Sequence, residues 1–211
     1  MGNRPRWSFT ASALILAVFL AAPGFSRWVT AAGIPAAPAS FRFLAWGDTK
    51  SATSVLSALS DQAIQLNPVL TLYAGDLESS GFTQSGMDKW KSAMNGQLSG
   101  DTTSNGMFDR TFPVRGNHDN GNTAGWQGYY NLSATAAAVG ATNYAFLSGQ
   151  DDLTYSFDFG NSHFVGVDVT GDADKISSQQ VAWIDQDLSA AEGRGLVHAF
   201  IVFHGPIYCV D

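Results

Sequence analysis

The chain has 211 residues, 45% of them hydrophobic and 14% charged, which supplies a packed core and excludes a disordered chain. Its formal charge of −7 argues against a surface for nucleic acid or anionic membranes. Cys209 is the single cysteine, so no disulfide forms within these residues.

At the amino terminus, Arg4 and Arg6 precede an apolar run over 11–22, the pattern of an export signal. That run is shorter than the roughly 20 apolar residues of a membrane span, so no stable span is expected once the signal is cleaved. Small residues offer cleavage after Ala22 or after Ala31; an uncleaved anchor is the alternative. The expected organisation is a signal peptide over 1–31, an Ala- and Pro-rich linker over 32–40 and a folded domain over 41–211. The mature protein is then periplasmic or extracellular. Losing Arg4, Arg6 and Arg27 with no acids makes it more acidic still.

The first short apolar run covers 43–46 and ends in Gly47-Asp48. Val55, Leu56, Leu59, Ala63, Ile64 and Leu66 then repeat at helical spacing over 52–66. A second apolar run, 69–74, ends in Gly75-Asp76 and completes a βαβ unit with a right-handed crossover. A helix over 84–97 and a polar loop over 99–106 lead to a third run, 112–114. Arg115 and then Gly116-Asn117-His118-Asp119 follow it. Residues 121–140 read either as a short helix or as a lid. Strands are expected over 143–146, 153–159 and 163–169. Ser177 or Ser178 caps a helix running through Leu188, and a last strand from His198 ends at His204.

A Gly-Asp pair after one strand is usually only a turn. Here, polar residues follow four buried-type strands in order, and open α/β sheets gather their chemistry beyond the carboxyl ends of strands. Four such strands side by side bring two carboxylates, an amide oxygen and imidazoles to one edge, a donor set suited to divalent first-row metals.

From Phe41 onward, this series resembles the calcineurin-like metallophosphoesterases. Their motifs run D-x-H, G-D-x-x, G-N-H-D/E, a lone strand-end His and G-H-x-H. His204-Gly205-Pro206-Ile207-Tyr208 is similar to the form in purple acid phosphatases. The resemblance implies an α/β fold: a two-sheet β-sandwich flanked by helices (αββα), incomplete at its carboxyl end. It implies two divalent or trivalent ions (Fe, Mn or Zn) held by Asp48, bridging Asp76, Asn117 and His204. It also implies a small phosphate ester as substrate, hydrolysed by a hydroxide that two ions activate. His118 takes the role of proton donor or charge stabiliser, and Asp119 is expected to orient its ring.

Two departures stand out. Lys50 occupies the place of a histidine ligand and, as an ammonium, offers no lone pair. Ser79 stands where purple acid phosphatases have a tyrosine. Lys50 has two readings, a contact to substrate phosphate or a solvated loop lysine. The G-H-x-H motif is absent, so the 211 residues are expected to be part of a longer protein. The chain alone is expected to be poorly soluble or metal-deficient. His163 and His198 are read as structural. The competing function is a non-catalytic, phosphatase-like binding protein.

Overall fold

The computed structural model describes residues 40–169 and 176–205. The expected export signal, the expected linker as far as residue 39, and the segment from Pro206 to Asp211 lie outside the described residues. The chain folds as a mixed α/β protein with two sheets. Among the described residues, no helix is long and apolar enough to cross a membrane.

The first sheet is parallel and three-stranded: β1 (Phe43–Trp46), β2 (Leu70–Tyr73) and β3 (Thr111–Pro113), in that order. All of β2 and β3 is buried, Thr71 and Thr111 included, as in a parallel strand covered on both faces. The second sheet has the order β4 (Thr142–Phe146), β5 (Tyr155–Phe159), β6 (Ser162–Gly166), β7 (His198–Val202). Its first three strands are antiparallel neighbours, and β7 joins β6 in parallel.

Rings from one sheet meet rings from the other. Phe112 stacks on Phe157 with centroids 4.1 Å apart, and Phe43 lies edge-on to Phe164 at 5.3 Å and to Phe200 at 4.9 Å. The Tyr155 hydroxyl donates to the carbonyl of Pro113 at 3.1 Å, tying β5 to β3. Burying Phe112, Phe157 and Phe164 stabilises the fold by about 1.5–3 kcal/mol each.

Helix α1 (Thr53–Ala63) continues as a 3-10 turn over Ile64–Leu66. Leu56 and Ala63 face inward as expected, but Val55, Leu59 and Leu66 are about half exposed. Ser57 and Ser60 take the inward positions instead. Ser57 Oγ accepts from the Leu98 amide at 2.9 Å, and the Ser60 hydroxyl donates to the Met94 carbonyl. Hydrogen-bond partners distant in sequence thus rotate the helix away from its most apolar face.

Helix α2 (Gln84–Met94) is capped by Thr83, whose hydroxyl accepts from the Gly86 amide. Residues 121–140 form two packed helices, α3 (Thr123–Tyr129) and α4 (Leu132–Val139), with Trp126 and Tyr130 buried. Helix α5 (Ser178–Gly193) starts with a capping box: Ser177 Oγ accepts from the Gln180 amide, and Gln180 Oε1 accepts from the Ser177 amide.

One expectation changes with topology. The four motif-bearing strands do not lie side by side. Three form the parallel sheet, whereas β7 belongs to the second sheet. His204 therefore approaches the site from the other sheet.

Candidate metal and phosphate site

The loops after β1 and β2 are tied together by backbone bonds. Asp48 donates its amide to the Gly75 carbonyl at 2.9 Å, and Lys50 donates to the Asp76 carbonyl at 3.0 Å. Asp48, Lys50 and Asp76 all have left-handed backbones, with φ of 62°, 46° and 56°. That conformation is costly for residues other than glycine and concentrates at functional sites.

Close approach of the loops depends on two glycines. A Cβ at Gly75 would lie 2.6 Å from the Gly116 nitrogen and 2.9 Å from His204 Nδ1. One at Gly116 would collide with Asp76 Oδ1. The space a side chain would fill is where the three loops meet.

Asp76 is buried at the centre of this edge and uses its two oxygens in different directions. Oδ2 lies 3.1 Å from Lys50 Nζ, which is also 3.2 Å from Asp48 Oδ1. Asp76 and then Asp48 raise the Lys50 pKa by holding its charged form. Asp76 Oδ1 accepts from the His118 amide at 2.9 Å and sits 3.4 Å from His204 Nε2.

His204 is oriented by the Ala74 carbonyl, which accepts from its Nδ1 at 2.8 Å. A carbonyl only accepts, so we assign the proton to Nδ1 and the lone pair to Nε2. That lone pair faces Asn117 Oδ1 at 3.0 Å and Asp76 Oδ1 at 3.4 Å. Three lone-pair atoms from the ends of β2, β3 and β7 therefore converge. An oxygen and imidazole set of this kind fits a divalent ion such as Zn, Mn or Fe.

The other half of the edge does not fit an ion in the same way. Lys50 already lies between Asp48 and Asp76, and its ammonium cannot coordinate. Among the described residues no group of three or more His, Cys, Asp or Glu side chains is arranged to hold a metal ion. The third donor beside Asp76 and His204 is the amide of Asn117.

His118 and Asp119 are placed differently from one another. The His118 ring donates from Nδ1 to the Ser79 carbonyl at 2.8 Å, leaving Nε2 as the nitrogen available to a substrate. The expectation that Asp119 orients this ring needs correction. Asp119 is fully buried, and its carboxylate accepts from the amides of Leu77 (2.9 Å), Glu78 (3.0 Å) and Gly116 (2.9 Å). Burial pushes its pKa up, and the amides of Gly116, Glu78 and Leu77 oppose that shift. A buried carboxylate turns to the nearest amides, and here those belong to the β2 loop. Asp119 thus clamps the β2 loop to the β3 loop.

Ser79 was missed as an orienting residue because any residue type supplies a carbonyl. The same holds for Ala74 behind His204. An open cleft of about 390 Å³ borders the site, lined by Lys50, Glu78, Ser79, Ser80, Thr83 and Lys89 among others. Two lysines and several hydroxyls suit an oxyanion.

His163 and His198 do not join this edge. His163 is buried in β6 between Asp158 and Asp187, whereas His198 opens the exposed strand β7.

Comparison with models of known families finds no match, and no curated protein matches the chain.

Proposed function

We propose that this protein is an exported, metal-dependent phosphoesterase acting on small phosphate esters. In this reading its two sheets are the layers of a helix-flanked αββα sandwich, and the export signal directs it to the periplasm or the exterior. The observation that carries the reading is the convergence of Asp76 Oδ1, Asn117 Oδ1 and His204 Nε2 at the strand ends.

A bound divalent or trivalent ion supplies Lewis acidity toward a phosphoryl oxygen and lowers the pKa of water. The chain's own groups do the rest. The phosphoryl group enters through the cleft that Lys50 and Lys89 line together with Glu78, and the two ammonium groups hydrogen-bond its oxygens. His118, held by the Ser79 carbonyl, meets the leaving oxygen through Nε2. Asp119 keeps Asp76 and His118 in register by clamping their backbones. Gly75 and Gly116 let the loops approach closely enough for these groups to meet.

The test is hydrolysis of p-nitrophenyl phosphate by the purified full-length protein with added Mn²⁺. Turnover is expected and is abolished by chelator. Manganese binding without turnover of any phosphate ester favours the second reading, a phosphatase-like binding protein. The observation behind that alternative is the ammonium of Lys50 lying between two carboxylates.

A further inference from the structure

We infer that the edge holds one metal ion rather than two, with the Lys50 ammonium serving as a built-in cation in place of the other. This rests on the phosphoesterase reading of the same edge and specifies its charge and stoichiometry. The two oxygens of Asp76 divide the edge into halves. Oδ2 and Asp48 Oδ1 both face Lys50 Nζ, at 3.1 and 3.2 Å. Oδ1 faces His204 Nε2, beside Asn117 Oδ1.

These halves call for different cations. The first already has one, and an ammonium there excludes a metal ion by occupancy and by repulsion. Two positive charges about 4 Å apart repel strongly wherever water is partly excluded. The second half has three lone pairs pointing at one another, and among its described contacts the one hydrogen donated to it is the His118 amide. An ion there relieves that opposition.

The backbone specifies the position of Lys50. Its left-handed φ of 46° and the hydrogen bond its amide donates to the Asp76 carbonyl hold it against the β2 loop. Its side chain remains 41% exposed, open toward the cleft. One ammonium thus offsets one of the two carboxylate charges and also lines the path of an incoming phosphoryl group.

The experiment counts ions. The full chain is equilibrated with Mn²⁺, desalted and assayed for metal by mass spectrometry, with electron paramagnetic resonance on the same samples. Wild type is expected to retain one ion per chain with an uncoupled six-line signal. Lys50→Gln removes the ammonium and is expected to bind a second ion at least about tenfold more tightly than wild type does. A spin-coupled signal then appears. Lys50→Arg keeps the charge and stays at one.

Two ions in wild type, or a Lys50→Gln protein that stays at one, overturns the inference. Turnover of p-nitrophenyl phosphate in the same samples separates this from the wider reading. Two ions with turnover sinks only the stoichiometry, whereas one ion without turnover sinks only the phosphoesterase. No ion in wild type sinks both.

Discussion

Two clusters in this protein set a histidine between acceptors, and they close their charges differently. Around His163, Nδ1 meets Asp158 at 2.6 Å and Nε2 meets Asp187 at 2.9 Å. Arg194 grips Asp158 through Nε at 2.7 Å and Nη2 at 3.0 Å, and Asn143 donates to it at 2.7 Å. Burial alone lowers the His163 pKa, but Asp187 and Asp158 outweigh it and raise the value. Two carboxylates face an imidazolium and a guanidinium, so the network balances itself. At the strand edge, Asp48 and Asp76 share one ammonium, and three lone pairs meet beside it. A cluster closed by its own side chains holds a fold together. A cluster left short of positive charge is where we propose that a ligand binds.

Substitutions at the two aspartates sharpen the contrast. Asp76→Asn is expected to take phosphatase turnover to background while the urea midpoint changes little, since Asp76 serves the edge rather than the core. His118→Ala lowers turnover by about 10²–10⁴ and leaves bound metal nearly intact; loss of metal in step with turnover makes His118 a ligand instead.

Asp158→Asn has the opposite profile. It strands His163 and Arg194 without their shared anion, and breaking a buried pair of this kind costs about 3 kcal/mol. Urea denaturation reads that loss, and metal content stays unchanged. If Asp158→Asn instead empties the metal edge at unchanged stability, the two clusters are not independent.

The smallest effect is one of pH. The His163 pKa is raised on folding, so its contribution to stability is fully present below the unfolded value of about 6.5. It is lost as pH rises through the folded value. Asp158 works the other way: burial pushes its pKa up, but Arg194, His163 and Asn143 overcome this and lower it. Its contribution is present above the unfolded carboxylate value and fades as pH falls through the folded one. Wild type therefore loses stability on both sides of a middle range, and His163→Gln is expected to flatten the alkaline side of that profile. An unchanged slope in denaturation from pH 6 to pH 9 refutes this role for His163.

Much of the site was legible because its residues directly follow strands. An apolar run of four or five residues followed by Gly-Asp announces where a chain leaves a sheet. Asp48, Asp76 and Asn117 accordingly lie beyond β1, β2 and β3. The cap at Ser177 was legible for the same local reason, since Gln180 stands three residues on. The inward face of α1 was not. Hydrophobic spacing pointed to Val55 and Leu59, but Ser57 and Ser60 find partners in residues 94–98, beyond any local window.

The same divide runs through the site. By itself the sequence determined which residues stand at strand ends, because period and turn chemistry act within a few residues. It also determined that Lys50 cannot be a ligand, because an ammonium has no lone pair. Only the tertiary structure decided that β7 sits in the second sheet and that Asp119 binds the β2 loop amides 41 and 42 residues away. Only it placed Lys50 between two carboxylates. Those are contacts between distant segments. They are set by how two sheets pack and how close two glycine loops approach, and no local pattern of residues encodes them.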